Sequence, residues 1–214
     1  MAVLKIILAD DHAVVRQGVK QILAGALPTA EFGEASSTAD LLALLQEGRW
    51  DIIVLDLTMP GSNGLEVLKL IKHEHPRLPV LILSMYPEDQ FAVRAVRAGA
   101  AGYLNKEGAP EELLQALRKV LAGGNYISAA VADELVLHSR HDSERPPHEL
   151  LSDREYQVLC LIASGKPVTA IGTELGLSPA TISTYRARIL QKMGMTTNAQ
   201  LMQYAIQKAL VLRY

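Results

Sequence analysis

The sequence predicts an α/β domain followed by an all-helical domain. Over the first 125 residues, short and continuously apolar runs alternate with segments in which apolar residues recur at helical spacing. From Leu151 onward only the helical spacing remains, and the polar segment 138–148, HSRHDSERPPH, separates the two regions. A chain of 214 residues is long enough for two small domains.

The apolar runs of the first region are typical of strands that are buried on both faces of a parallel sheet. They cover residues 3–9, in which Lys5 is the one charged residue, then 52–55, 80–83 and, more weakly, 101–104, while residues 29–35 form a poorer fifth candidate. A helical pattern follows each candidate strand, at Val14, Val15, Val19, Ile22 and Leu23, then Leu41, Leu42, Leu44 and Leu45, then Leu65, Val67, Leu68 and Ile71, then Ala92, Val93 and Val96, and last Leu113, Leu114, Leu117, Val120 and Leu121. Five strand–helix units predict a doubly wound sandwich with right-handed crossovers, and we expect the flavodoxin-like strand order 2-1-3-4-5.

Glycines and prolines set the predicted domain boundaries. Gly123-Gly124-Asn125 is expected to end the fifth helix, and residues 126–139 are expected to form a short linker helix. We therefore predict a first domain over residues 1–125, a linker over 126–148 and a second domain over 149–214.

Start and stop signals divide the second domain into four helices. Ser152, with Glu155 three residues later, is a capping box that opens the first helix, and Gly165 ends it. The other expected helices cover residues 168–175 after Pro167, residues 178–193 with Ser178-Pro179 at the start and Gly194 at the end, and residues 199–212. The second and third helices, joined by Gly176-Leu177, have the lengths of a helix-turn-helix.

Charge is distributed unequally between the two regions. Residues 149–214 contain seven Lys and Arg against four acidic residues, a net charge of +3, which leaves −5 for the first 148 residues of a chain whose total is −2. A basic C-terminal region favours an anionic partner such as nucleic acid.

Several kinds of protein are excluded by the cysteine count and by the pattern of apolar residues. A single cysteine, Cys160, rules out an internal disulfide framework and a cysteine-based zinc cage. The first residues lack the pattern of a signal peptide, and no apolar stretch approaches the roughly 20 residues of a membrane span. We expect a cytoplasmic protein without a membrane partner.

Polar residues follow four of the predicted strands at the point where each strand ends. Asp10 and Asp11 follow the first strand, Asp56 follows the third, and Ser84 and Lys106 follow the fourth and fifth. In the expected strand order these side chains meet at the carboxyl edge of the sheet, where open α/β folds place their sites.

This combination of residue types suits phosphoryl transfer. Three clustered carboxylates repel one another and favour a hard divalent cation such as Mg²⁺. A carboxylate can attack phosphorus and form an acyl phosphate, while a metal ion and a lysine neutralise the phosphoryl oxygens. A nearby serine hydroxyl could donate a hydrogen bond to the new group.

The segments VLKIILADDHAVVRQG, IIVLDLTMPGSNGLEVL, VLILSMY and AAGYLNKEG resemble the receiver domains of response regulators over about residues 3–122. The resemblance implies that Asp56 is the phosphorylated residue. It also implies that Asp10, Asp11 and Asp56 bind Mg²⁺ together with the backbone carbonyl of Thr58.

The same resemblance implies a switch. Ser84 and Lys106 would contact the phosphoryl group, and Tyr103 would change rotamer together with Ser84. One position departs from the family pattern, because Glu107 stands where many receivers have proline after the lysine.

The predicted recognition helix has an apolar side that includes Ile182, Ile189, Leu190 and Met193. Residues Thr181, Ser183, Thr184, Arg186, Ala187 and Arg188 are left for solvent or DNA. Small and hydroxylated residues near the start of such a helix let it enter the major groove deeply. Arg186, Arg188 and Lys192 are expected to reach phosphates.

The segment LSDREYQVLCLIASGKPVTAIGTELGLSPATISTYRARILQKMGMTTNAQLMQYAI resembles the four-helix LuxR-type DNA-binding domain, and together with the receiver it resembles the NarL/FixJ subfamily. The resemblance places Ser183, Thr184 and Ala187 toward the groove. At these positions the helix lacks the Lys or Val-Lys that many members of the subfamily carry. Its Ser-Thr-Tyr-Arg-Ala-Arg core resembles the branch that regulates secondary metabolism and virulence.

The resemblance implies a transcriptional response regulator that a sensor histidine kinase phosphorylates on Asp56, and that binds promoter DNA as a homodimer when phosphorylated. It would not be an enzyme beyond accepting the phosphoryl group and slowly losing it. Two alternatives remain: a phosphatase of the haloacid dehalogenase type, which usually has an acid where this chain has Thr58, and a receiver that dimerises independently of phosphorylation. The complete set Asp10, Asp11, Asp56, Ser84 and Lys106 argues against the second.

Overall fold

A computed structural model describes residues 3–59, 63–108, 110–140, 146–208 and 210, with the side chains of 137–140 left out. The chain divides into two units, Met1–Ala132 and Asp133–Tyr214. Within the described ranges, no helix combines the length and the apolar character that crossing a bilayer requires.

A five-stranded parallel sheet forms the centre of the first unit. Its strands are β1 (Lys5–Ala9), β2 (Glu31–Ala35), β3 (Ile52–Leu55), β4 (Val80–Ser84) and β5 (Gly102–Asn105), in the order β2-β1-β3-β4-β5. The predicted flavodoxin-like order is confirmed. β1 begins two residues later than predicted, since Val3 is 44% exposed and so lies outside the buried run.

Five helices cover the two faces of this sheet: α1 (Ala13–Ala26), α2 (Thr38–Glu47), α3 (Gly64–Glu74), α4 (Glu88–Arg97) and α5 (Pro110–Leu121). Each buries apolar positions that recur at helical spacing, such as Val19 and Leu23 on α1 and Leu113 and Leu117 on α5. These residues pack with Ile6, Leu8 and Val54 in one core cluster.

The weak apolar pattern of β2 is explained by how its neighbours pack. A Cβ atom on Gly33 would lie 2.5 Å from the Trp50 indole, so the ring occupies the space that a side chain would take. Trp50 is held there by the hydrogen bond that its Nε1 donates to the Leu44 carbonyl, at 2.7 Å. The strand therefore contains a glycine where an apolar residue is otherwise expected.

The predicted linker helix begins later than expected. Tyr126 lies beside β5, where its N–H donates to the Ala101 carbonyl at 2.9 Å and its carbonyl accepts from the Tyr103 N–H at 3.0 Å. Because this backbone pairs with the sheet edge, it is extended, and the next helix, α6, covers Ala129–Arg140. The expectation of helix from residue 126 was wrong.

The second unit consists of a short 3-10 turn, Pro147–Leu150, and four helices, α7 (Asp153–Ala163), α8 (Val168–Leu175), α9 (Pro179–Met193) and α10 (Asn198–Gln207). The capping box of Ser152 and Glu155 is present at the start of α7. A second box, Thr197 with Gln200, starts α10. α10 ends at Gln207, short of the predicted residue 212, because Lys208 is already the C-cap; residues 211–214 lie outside the described part.

Two glycines bring α8 and α9 together. Gly176 ends α8 with a φ of +63°, a left-handed conformation that side chains with a Cβ disfavour. At Gly172 a Cβ would lie 2.7 Å from the Leu177 carbonyl oxygen, so the turn passes directly over this glycine. The tight turn predicted between α8 and α9 is therefore present.

Candidate functional site

Three carboxylates meet at the carboxyl edge of the sheet. Asp10 and Asp56 follow directly after Ala9 and Leu55, which are paired across β1 and β3. The Asp56 N–H donates to the Ala9 carbonyl at 2.8 Å, which fixes the two segments beside each other. Asp10 and Asp56 are 6% and 1% exposed, and ligand atoms of Asp10, Asp11, His12 and Asp56 all lie within 4.8 Å of one another.

Lys106 neutralises part of this negative charge. Its Nζ lies 2.7 Å from Asp10 Oδ2 and 2.6 Å from Asp56 Oδ2, and its side chain is 4% exposed. Burial opposes the charge on this lysine, but the attraction of Asp56 and Asp10 outweighs burial, so its pKa is raised above the ordinary value. The Lys106 N–H donates to the Ser84 carbonyl at 2.8 Å, which brings the ends of β4 and β5 to the same place.

The acidic cluster could hold a metal ion. Within the described part of the chain, Asp11 Oδ1 is a buried carboxylate oxygen that accepts no hydrogen bond. His12 Nδ1 lies 2.9 Å from it. His12 also begins α1 as its N-cap. A buried oxygen without a donor, among three carboxylates, is the arrangement that a hard cation stabilises.

Thr58 binds the carboxylate of Asp56 directly. Its N–H donates to Oδ1 at 3.1 Å, and its Oγ1 lies 2.9 Å from both Oδ1 and Oδ2. The residue whose carbonyl was predicted as a metal ligand therefore also orients the central carboxylate through its N–H and hydroxyl. Nothing in its side chain suggested this from sequence.

Ser84 and Tyr103 are joined through Tyr86. Ser84 is fully buried and its Oγ accepts from the Tyr86 N–H at 3.2 Å, while the Tyr103 hydroxyl donates to the Tyr86 carbonyl at 2.8 Å. Burial raises the pKa of Tyr103, which is 2% exposed and thus lies inward. The peptide bond between Lys106 and Glu107 is trans, as is every described peptide bond.

Arg16 was not predicted as a site residue from the sequence. Its Nη1 donates to the Asp10 carbonyl at 2.6 Å, and its Nε donates to Glu34 Oε2 at 3.1 Å. Glu34 also accepts from Lys20 at 2.7 Å, and hydrogen bonding by Lys20 is the main reason that its pKa is lowered. The available signal was a single arginine between the apolar positions Val15 and Val19 of α1.

α9 presents a polar surface outside its buried residues Ile182, Ile189 and Met193. Ser183, Thr184, Ala187 and Arg188 are exposed, and Thr181 and Arg186 are half-buried. The predicted groove-facing residues therefore share the open side of this helix.

Two of the three cations predicted to contact phosphates already have partners. Arg186 Nε donates to Asn198 Oδ1 at 2.6 Å, and Lys192 Nζ donates to Glu155 Oε2 at 2.7 Å. Arg188 forms no ion pair or side-chain hydrogen bond with the described residues. The three residues are therefore not equivalent candidates for DNA contacts.

Comparison with known proteins identifies a family for each of the two units. Residues 6–118 match the response regulator receiver domain, and residues 149–205 match the bacterial regulatory proteins of the luxR family. The chain belongs to the response regulators with a LuxR-type DNA-binding domain. This response regulator is 37% identical over 212 residues to response regulator GacA of Pseudomonas aeruginosa, a match that covers 97% of this chain and 98% of that protein. It is 32% identical to response regulator UvrY of Escherichia coli K12, covering 97% and 95% of the two chains.

Solved structures of RcsB are similar to the whole response regulator. RcsB of Salmonella typhimurium is 28% identical with a TM-score of 0.68, covering 99% of this chain and all of that one. RcsB bound to the promoter rprA in the presence of the phosphomimetic BeF₃⁻ is 26% identical with a TM-score of 0.65, covering 95% and 98%. The family consists of DNA-binding transcription regulators, not catalytic enzymes, which decides against the phosphatase alternative.

Proposed function

We propose that phosphorylation of Asp56 by a sensor histidine kinase switches this cytoplasmic response regulator, and that the switch controls dimerisation and promoter binding. The observation that supports it best is the bridge from Lys106 to both Asp10 and Asp56 at the edge of the sheet. The proposed division is a receiver over residues 1–125, a linker over 126–148 and a DNA-binding domain over 149–214.

In the proposed transfer, an Asp56 carboxylate oxygen attacks the phosphorus of a phosphohistidine or of acetyl phosphate. The P–N or P–O bond to the donor breaks, its electron pair leaves with the imidazole or the acetate, and an acyl phosphate forms on Asp56. Thr58 orients the carboxylate, and Lys106 is close enough to pair with a phosphoryl oxygen. Mg²⁺ would be held by Asp10, Asp11, Asp56 and the Thr58 carbonyl, and it would neutralise charge on the phosphoryl oxygens.

The proposed switch passes through the loop after β4. A phosphoryl group on Asp56 offers new acceptor oxygens to the Ser84 hydroxyl. Movement of Ser84 displaces Tyr86, because the Tyr86 N–H donates to Ser84 Oγ. Tyr103 is anchored on the carbonyl of the same Tyr86, so its rotamer depends on the position of this loop. Phosphorylation would then stabilise the inward position that Tyr103 occupies in this structure.

In the proposed complex, two copies of α9 related by a two-fold axis enter successive major grooves about 10 bp apart. Ser183, Thr184 and Ala187 would face bases, with Thr181 near the start of the helix, and Arg186, Arg188 and Lys192 would lie toward phosphates. The DNA-bound structures of RcsB, one of them described as two RcsB dimers on two parallel DNAs, support this arrangement by similarity.

A gel-shift titration on promoter fragments tests the proposal. Wild type and Asp56→Asn are compared at fixed salt, each with and without acetyl phosphate and Mg²⁺. We expect the donor to tighten binding of the wild type alone by roughly tenfold, which corresponds to about 1.4 kcal/mol. Equal binding by both proteins in all conditions would instead support a receiver that dimerises independently of phosphorylation.

A further inference from the structure

The hydroxyls of Ser183 and Thr184 already use their only proton inside α9. Ser183 Oγ donates to the Pro179 carbonyl at 2.9 Å, and Thr184 Oγ1 donates to the Ala180 carbonyl at 3.1 Å. A hydroxyl has one proton and two lone pairs. Both side chains are exposed, so they present acceptor lone pairs to whatever approaches this side of the helix.

The bases of DNA differ in what they offer to such an acceptor. In the major groove adenine N6 and cytosine N4 are amino donors, whereas guanine and thymine present acceptors, at N7 and O6 of guanine and O4 of thymine. For Ser183 or Thr184 to donate to guanine or thymine, the hydroxyl would have to leave its carbonyl partner in the helix.

We propose that Ser183 and Thr184 determine operator specificity by accepting hydrogen bonds from adenine or cytosine amino groups of one DNA strand, which disfavours guanine and thymine at two positions of that strand in each half-site. This inference rests on the proposed entry of α9 into the major groove. It concerns these two residues only. The hydroxyl of Thr181 lies 2.8 Å from Ser178 Oγ, and because either oxygen can donate, Thr181 keeps both possibilities.

The neighbouring Arg188 complements these acceptors. It is exposed on α9 and has five N–H donors, so it suits phosphate oxygens or the acceptor edge of guanine. α9 thus carries acceptors at two adjacent positions and donors one turn later.

The test is selection of duplexes from a randomised library by the full-length protein with acetyl phosphate and Mg²⁺. The variants are Ser183→Ala and Thr184→Val, which lack the hydroxyl, and Thr184→Ser, which keeps it. The matched control is Thr173→Val on α8, because Thr173 Oγ1 donates to the Thr169 carbonyl at 3.2 Å in the same way and is exposed. It removes an equivalent bond from a helix outside the proposed groove contact.

We expect wild type to select adenine or cytosine at two positions per half-site. Ser183→Ala and Thr184→Val each lose the preference at one of them, while Thr184→Ser and Thr173→Val keep both. In the selected site, replacing adenine by purine, or cytosine by pyrimidin-2-one, removes the amino group. This replacement should weaken wild-type binding roughly fivefold and leave the matching variant unaffected.

Three results would overturn the inference. Selection of guanine or thymine at the positions that depend on Ser183 or Thr184 would show that the hydroxyls donate. Unchanged preferences in both hydroxyl-free variants would show that these residues do not contact bases. Failure of wild type to enrich any sequence would refute sequence-specific binding by α9, and with it the proposed DNA complex as well as this inference.

Discussion

Lys192 Nζ lies 2.7 Å from Glu155 Oε2, and this ion pair joins α9 to the start of α7. The Glu155 side chain is 5% exposed, and the same Oε2 accepts from the Ser152 N–H at 2.8 Å. One carboxylate therefore completes the capping box and binds the helix proposed to recognise DNA. A lysine that looks like a phosphate contact in the sequence also contributes to the packing of its own domain.

This ion pair predicts that replacing Lys192 lowers the stability of the domain, whereas replacing Arg188 lowers only its DNA affinity. Lys192→Met should lower the free energy of unfolding of the second unit by about 1 kcal/mol, a small value because the lysine is 43% exposed and solvent screens the pair. Arg188→Met should leave stability unchanged but weaken DNA binding and reduce the salt dependence of log K by about one unit. Urea unfolding and binding titrations at several salt concentrations measure the two effects. An Arg188→Met salt slope equal to that of wild type would contradict the assignment of Arg188 to a phosphate.

The same carboxylate predicts a dependence of stability on pH. Burial opposes the ionisation of Glu155, but hydrogen bonds from Lys192 and Ser152 outweigh it, so its pKa in the folded state lies below the ordinary 4.5. The stabilisation is therefore complete above pH 4.5 and is lost as pH falls through the lowered pKa. The only tryptophan, Trp50, belongs to the first unit, so its fluorescence does not report on unfolding of the second unit. Hydrogen exchange within α7 is therefore the suitable probe. Glu155→Gln should show a flatter pH profile over this range, and an identical profile would refute the assignment.

Lys106 is expected to compete with a divalent cation for the same oxygens. Its Nζ binds Asp10 Oδ2 and Asp56 Oδ2, so Lys106→Met should raise Mg²⁺ affinity several-fold, as measured by calorimetry, because the carboxylates lose their internal cation. The same variant should lose the effect of acetyl phosphate on DNA binding. Lys20→Met, which removes a charge that pairs with Glu34 on α1, is the control. Weaker Mg²⁺ binding in Lys106→Met would mean that the lysine organises the site and does not compete.

Arg16 is expected to position Asp10. Arg16→Lys keeps the charge but loses the planar group that reaches both the Asp10 carbonyl and Glu34, so Mg²⁺ affinity should fall by roughly threefold to tenfold. Lys20→Arg changes a neighbouring cation that contacts only Glu34 among the described acids, and it should have little effect. Equal Mg²⁺ affinities for wild type and Arg16→Lys would show that the arginine has only a packing role.

Much of the fold was predictable because its signals are local. Continuous apolar runs predicted the buried strands, and caps such as Ser152 and breakers such as Gly176 predicted helix boundaries in the second unit. The exceptions occur where a segment depends on a distant partner. Tyr126 is extended because its backbone pairs with the edge strand β5, and β2 contains Gly33 because the Trp50 ring packs against it.

The sequence by itself determined the fold class, the order of the strands and the set of polar residues at the carboxyl edge of the sheet. Periodicity and residue type are properties of neighbouring positions, and the parallel sheet then requires that all strand ends meet at one edge. Only the tertiary structure decided which polar groups bind each other, as in Arg16 with Glu34, which are 18 residues apart, and Lys192 with Glu155, which are 37 apart. Such pairs depend on how separate helices and strands pack, and a side chain's charge does not reveal from sequence whether its partner is DNA, a metal site or its own domain.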